Sequence, residues 1–122
     1  MAIEFRHPLW FEKECDWIWS KLSSLGIGSV ISDTAGRRDA LHMKITAPFV
    51  VVRFGGYDGH ESDKIRLENW VSWLRHNKGV ESFYFLVHQT NSVHTPHTCI
   101  EFSELCHKSL GAQVKAPNLY LP

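Results

Sequence analysis

Residues 49–56, FVVVRFGG, decide the fold of this chain. A run of strand-forming residues leads to Arg53, and the two glycines after it permit close backbone approach by a ligand. Three further apolar runs end in the same way, at charged or imidazole side chains. They are residues 3–5 before Arg6-His7, residues 30–32 before Asp33, and residues 83–87 before His88. Parallel α/β sheets place active groups at the carboxyl ends of strands, so the pattern predicts a site without indicating a reaction.

Helical patterns separate the four predicted strands. Apolar residues recur at helical spacing over residues 9–25, 62–77 and 95–110. Ser62 and Thr95 are the predicted N-caps of the second and third helices, and a glycine follows each of the three helices. The strands are expected at residues 2–6, 29–32, 49–54 and 82–87. This alternation of strands and helices predicts an α/β fold built from parallel βα units.

The connection over residues 33–48 is the exception, because it shows no apolar stripe. At most, residues 39–43 are expected to form one helical turn. A long irregular connection beside strand ends is more often a functional loop than an accident. We therefore expect this connection to contribute to the site.

Two parallel architectures suit a chain of 122 residues, which is predicted to form a single domain, 1–122. A small doubly wound sheet would be complete at this length. A TIM-type (β/α)8 barrel needs about 250 residues, so four units would make half of one. A half-barrel leaves two unpaired edge strands, which favour association. The residue pattern alone leaves both architectures open.

Five segments resemble the domain-of-unknown-function 72 family, which is also called YecE-like. They are EFRHPLWF at 4–11, SDTAGRR at 32–38, TAPFVVVRFGG at 46–56, FYFLVH at 83–88 and KAPN at 115–118. In order and spacing they cover nearly the whole chain. The resemblance implies a TIM-type barrel, of which this chain corresponds to the carboxyl-terminal half, and it implies no reaction because the biochemical role of the family is unsettled.

The predicted catalytic residues are Glu4, Asp33 and His88. Glu4 and Arg6 lie two apart on a strand and share a face, so they suit proton transfer beside an anchored anion, or else an ion pair inside a barrel. Asp33 is predicted to accept a proton or to pair with Arg53 or Arg6, or else to cap its loop. His88 is predicted to shuttle protons, or else to donate to a buried carbonyl.

The predicted ligand-binding residues are Arg6, His7, Arg37, Arg38 and Arg53. Arg53 is the strongest candidate, since an apolar run delivers it to a strand end. Arg37 and Arg38 follow a glycine and suit a phosphate or carboxylate clamp, although adjacent loop arginines are also commonly solvated. No metal site is expected, because the spacing of His94, His97 and Cys99 matches no standard ligand pattern.

Composition narrows the class of protein. Thirteen basic and thirteen acidic residues cancel, which disfavours nucleic acid and anionic membrane surfaces as partners. No apolar signal segment or membrane-length run is present, so a cytoplasmic protein is expected. The three cysteines are an odd number and are interpreted as reduced core thiols.

Two functions are consistent with these observations. The first is a site at the strand ends that binds an anionic small molecule, phosphorylated or nucleotide-like, with the cofactor and the reaction left open. The second is a non-catalytic half-barrel module or fragment, which either self-associates as a homodimer or pairs with a missing amino-terminal half-barrel. Near-zero net charge removes a barrier to such association.

Overall fold

The structure is a computed structural model that describes residues 1–112, 114 and 115. The strands are β1 (Ala2–Glu4), β2 (Gly28–Thr34), β3 (Phe49–Gly55) and β4 (Ser82–His88). The helices are α1 (Asp16–Ser24), α2 (Glu61–His76) and α3 (Thr95–Leu110). Short 3-10 turns lie at Pro8–Phe11, Lys13–Cys15, Arg38–Ala40 and Ser92–His94. The irregular tail expected from residue 116 lies outside the described residues.

The four strands form one sheet in the order β1-β2-β3-β4. β1 pairs with β2, and β2 pairs with β3, in parallel, with Ser32 opposite Arg53. β4 runs in the same direction, because the Glu81 N–H donates to the Pro48 carbonyl at one end (2.8 Å) and the Gly56 N–H donates to the His88 carbonyl at the other (2.9 Å). The predicted α/β fold with four parallel strands is confirmed, and it is consistent with half of a TIM-type barrel.

The chain divides into two compact units. The first contains Met1–Gly55 and Gly79–Leu86, and the second contains Gly56–Lys78 and Val87–Pro122. The first unit holds α1 and the sheet except for the tip of β4, whereas α2 and α3 belong to the second. The single domain expected from the chain length stays a prediction.

The two faces of the sheet differ sharply in exposure. On one face, Ile31, Val52 and Phe54 are fully buried. The rings of Phe54 and Phe85 pack with their centroids 5.3 Å apart, so the neighbours of Phe85 point to the opposite side. That opposite side is called the open face below. It carries Glu4, Val30, Ser32, Phe49, Val51, Arg53, Tyr84 and Leu86.

The first helix is shorter than the pattern predicts. His7 caps a 3-10 turn that begins at Pro8, and extended backbone at Glu12 (φ −76°, ψ 155°) separates this turn from the next one. The α-helix begins only at Asp16. The predicted N-caps are also wrong, since His60 and His94 occupy those positions in the second and third helices.

The connection between β2 and β3 contains one 3-10 turn, Arg38–Ala40, and is fastened to the sheet by His42. The His42 Nε2–H donates to the Val30 carbonyl at 3.0 Å, and Nδ1 accepts from the Lys44 N–H at 3.2 Å. The ring stacks on Phe11 with centroids 5.0 Å apart. These contacts require the neutral imidazole, because only a neutral ring both donates and accepts.

Candidate functional site

Glu4, the last residue of β1, binds three side chains: Arg6 two residues further on, Ser32 on β2 and Arg53 on β3. Its Oε1 accepts from the Ser32 hydroxyl at 2.6 Å and from Arg53 Nε at 2.7 Å. Its Oε2 accepts from Arg6 Nε and Nη2 at 3.1 and 2.9 Å. Parallel pairing explains the arrangement, since it aligns the carboxyl ends of β1, β2 and β3. These four residues are called the Glu4 cluster.

The environment of Glu4 decides which role it suits. Burial alone would raise the pKa of its carboxyl group, but hydrogen bonds from Ser32, Arg6 and Arg53 outweigh it and lower the pKa to about 2. A carboxylate with so low a pKa is a weak base and holds no proton near neutral pH. The geometry therefore favours the ion-pair interpretation of Glu4 over proton transfer.

Arg53 keeps binding capacity after its contact with Glu4. Only its Nε takes part in that bond, and within the described residues its two Nη groups have no hydrogen-bond acceptor. Its side chain is 34% exposed, and that of Arg6 is 72% exposed. Two guanidinium groups against one carboxylate leave the cluster with a surplus of one positive charge.

Asp33 lies apart from this cluster. It follows Ser32 directly, so alternation along β2 turns its side chain to the buried face. Its Oδ1 accepts from Arg38 Nη1 at 2.6 Å, which replaces the expected pairing with Arg53 or Arg6. Arg37 instead pairs with Asp39 at 2.9 and 3.1 Å on the surface. The two arginines are thus held by separate acids instead of forming a shared clamp.

The two predicted histidines, His7 and His88, are exposed side chains. His7 is exposed, and its Nδ1 accepts from the Leu9 N–H at 3.3 Å to cap the first 3-10 turn. His88 ends β4 within the second unit and is exposed. Of the eight predicted site residues, Glu4, Arg6 and Arg53 meet in the Glu4 cluster, and Asp33 and Arg38 form a separate pair.

Ser32 binds Glu4 but is not among the residues predicted from sequence. Its hydroxyl lies on β2, and Ser32 has the same parity along that strand as Val30. That parity was the available signal, because it assigns Ser32 to the same face as the residues across from it on β1 and β3. Asp33 was predicted because of its charge, although its side chain points to the opposite face of the sheet from Glu4.

A second buried polar cluster in the other unit was also missed. The Gln89 side chain is fully buried, donates from Nε2 to Thr98 Oγ1 (2.8 Å), and accepts from the Asp58 N–H at Oε1 (2.8 Å). The Asp63 carboxylate accepts from the Tyr57 N–H at 2.8 and 3.0 Å. These bonds fix the loop between β3 and α2, where Asp58 adopts a positive φ of 50°.

The two glycines after Arg53, Gly55 and Gly56, leave space for side chains of the chain itself. A Cβ at Gly55 would lie 3.0 Å from Thr34 Cγ2, and a Cβ at Gly56 would overlap the Gln89 carboxamide. The close approach expected of a ligand is therefore made at these positions by Thr34 and Gln89.

Residues 1–112, 114 and 115 contain no group of three His, Cys, Asp or Glu side chains suited to a metal ion. Burial raises the pKa of the Cys106 thiol to about 11. Among the helices described, none has the length and apolarity to cross a membrane.

The fold and the cluster define an α/β protein with four parallel strands and an arginine–glutamate cluster where three of them end. The chain belongs to the DUF72 family, because the model of that family, described as a protein of unknown function, matches residues 1–119. This confirms the predicted family. No curated protein matched the chain.

Two crystal structures of a DUF72 family protein from Enterococcus faecalis V583 share the fold. The 2.52 Å structure matches with a TM-score of 0.65 at 14% identity, over 92% of this chain and 49% of that one. The 3.10 Å structure matches with a TM-score of 0.65 at 16% identity, over 99% of this chain and 50% of that one. The chain therefore spans about half the length of these structures, and such identities show the fold alone.

Proposed function

We propose that the chain binds an anionic small molecule, phosphorylated or nucleotide-like, at the Glu4 cluster. The observation that carries this proposal is Arg53, whose guanidinium is held by Glu4 through Nε while its Nη groups stay unpaired among the described residues. An arginine fixed in this way matches the fork geometry of phosphate and carboxylate oxygens. Little side-chain entropy remains to be lost on binding, which favours affinity.

The charge balance of the cluster supports an anion over a cation or a neutral ligand. Glu4 is ionised and cancels one guanidinium, so the second positive charge is unmatched within the cluster. Arg6 is the more exposed of the two arginines and is suited to close over a bound anion from β1's end. Such a site binds and orients a ligand.

The proton-transfer part of the hypothesis rests on other residues. Within the proposal Glu4 orients arginines, and Asp33 is engaged by Arg38. The acid–base role predicted for His88 rests on its side-chain type alone, because imidazole is the side chain that most often transfers protons in enzymes. The chain spans about half the length of the solved structures. A catalytic activity that needs the full length of such a protein is therefore also only proposed.

Calorimetric titration with inorganic phosphate, a sugar phosphate and a nucleoside monophosphate tests the anion proposal. We expect binding that Arg53→Ala weakens at least tenfold, corresponding to about 1.4 kcal/mol. Arg75→Ala is the matched control, since it removes the same charge from an exposed residue in the last turn of α2 and should leave affinity unchanged. Absence of binding to all three compounds, or equal losses in both variants, would overturn the proposal.

A second candidate function is that of a non-catalytic half-barrel whose role is assembly. The observation in its favour is that the chain covers 49% and 50% of the two solved relatives. We propose that the open face is covered by another half-barrel. Titration of the assembled protein separates the two candidates, because a purely structural module assembles and binds no anion.

A further inference from the structure

The open face of the sheet extends beyond the Glu4 cluster to β4. Tyr84 and Leu86 on β4 are each 55% exposed, and Phe49 and Val51 beside them are partly exposed. Parallel sheets normally have both faces covered, since their strands are apolar on both sides. An uncovered face of this kind indicates a docking surface.

The dimensions of the face suit a specific interface. β2, β3 and β4 have seven residues each and β1 has three, so at about 3.3 Å per residue and about 4.8 Å between strands the face has an outline on the order of 400 Å². Two such faces, together with strand pairing at both edges, approach the roughly 1,200 Å² of a specific interface. The face therefore has enough area to hold a partner of similar size.

Both edges of the sheet are available for pairing. β1 and β4 are the outer strands, and no described residue pairs with the outer side of either. An edge strand exposes a row of backbone donors and acceptors that a further strand satisfies. A partner that covers the open face and supplies one strand to each edge would remove both sets of unpaired groups.

We propose that this partner is a second copy of the chain, related by a two-fold axis parallel to the strands. All four strands run in one direction, so such an axis places β4 of each copy beside β1 of the other, again in parallel. The result is a closed sheet of eight strands, the number found in a TIM-type barrel. This inference rests on the proposed half-barrel function and identifies its partner.

Two observations favour a second copy over an unrelated partner. The solved relatives are twice as long as the matched region, so two copies supply the number of residues that one relative supplies in a single chain. The chain has thirteen basic and thirteen acidic residues, so two copies meet without net repulsion. Closed two-fold assembly is also the commonest symmetry of protein oligomers.

Sedimentation velocity from about 1 to 100 μM, a span in which specific protein dimers normally form, tests the inference. The wild type should sediment as a dimer. Leu86→Glu places a charge in the proposed interface and should weaken dimerisation at least a hundredfold. Leu25→Glu is the matched control, because Leu25 is 58% exposed at the end of α1 and lies outside the open face. It should sediment as the wild type does.

Tyr84→Glu repeats the test at a second position, and circular dichroism establishes that each variant is folded. A folded wild-type monomer over the whole range would overturn the inference and assign the face to a different protein segment. Open chains longer than a dimer, or equal effects of Leu86→Glu and Leu25→Glu, would overturn it too. Titrating a folded monomeric Leu86→Asn variant with phosphate tests the anion site separately, because this change adds no carboxylate to the face that carries Arg53 and Glu4.

Discussion

Arg53 donates its Nε–H to Glu4 at 2.7 Å although the two residues are 49 positions apart in sequence and lie on strands that are not neighbours. β2 lies between their strands, and Ser32 on β2 donates to the same carboxylate oxygen. One carboxylate thus joins the carboxyl ends of three parallel strands. The contact both orders the sheet and positions a guanidinium, so its removal should affect stability and binding together.

Glu4 makes the stability of the chain sensitive to acid. Its pKa is lowered from 4.5 to about 2 in the folded chain, so the unfolded state binds the proton more readily. The stabilisation, on the order of 1 to 3 kcal/mol because solvent screens the partly exposed group, is present above pH 4.5 and is lost as the pH falls through 2. Urea unfolding between pH 5 and 2 should show this decline, and Glu4→Gln should make it shallower. Equal slopes for both proteins would contradict the assignment.

Ser32 should contribute more to stability than an exposed serine does. Its hydroxyl donates to an ionised, largely buried carboxylate at 2.6 Å, and bonds to charged groups are worth about 1.5 to 3 kcal/mol. Ser32→Ala should therefore lower the free energy of unfolding by about that amount. Ser24→Ala is the control, because the Ser24 hydroxyl donates to the Lys21 carbonyl on the surface of α1. We expect a change within about 0.5 kcal/mol there, and similar losses in both variants would contradict the role of Ser32.

His42 should make the β2–β3 connection sensitive to mildly acidic pH. Burial is the main effect, and it lowers the pKa of the imidazole. The hydrogen bond to the Val30 carbonyl raises this pKa, and the charge of Lys44 lowers it further. Because the folded pKa lies below the ordinary value of 6.5, the stabilisation is present above pH 6.5 and declines as the pH falls through the folded pKa.

The measurement for His42 is thermal unfolding between pH 7.5 and 5. His42→Phe keeps a ring for packing against Phe11 but removes both hydrogen bonds, so it should be less stable at pH 7.5 and should lose less on acidification. His97→Phe alters an exposed histidine at the start of α3 and should keep the wild-type pH dependence. An unchanged pH dependence in His42→Phe would rule out this group as the cause.

Much of the fold follows from local pattern. The run at residues 49–54 is apolar enough to require burial, and the structure has it as β3 with one residue added. The start of the first helix does not follow from this pattern, because its apolar spacing continues through residues that form two 3-10 turns in the structure. The extended conformation of Glu12 has no signature in sequence, since any residue adopts it.

Part of the candidate site follows from the alternation of side chains along the strands. Glu4 and Arg6 share parity on one strand, and Arg53 ends another, so their meeting follows from parallel pairing. The choice between Ser32 and Asp33 depends on the register of β2 against β3, and a shift of one residue would exchange their faces. Sequence alone sets no such register, because it arises from packing across the whole sheet.

Gly56 should be among the least tolerant positions for even the smallest side chain. A Cβ there would overlap the Gln89 carboxamide, which is fully buried and bonded to Thr98 and to the Asp58 N–H. Gly56→Ala must displace Gln89 and leave buried polar groups unpaired, at a cost of about 2 to 4 kcal/mol. Gly79→Ala is the matched control, because a Cβ at Gly79 meets nothing within 4 Å. In urea unfolding, Gly56→Ala should lose several times more free energy of unfolding than Gly79→Ala. Equal losses in the two variants would show that Gln89 does not hold this loop.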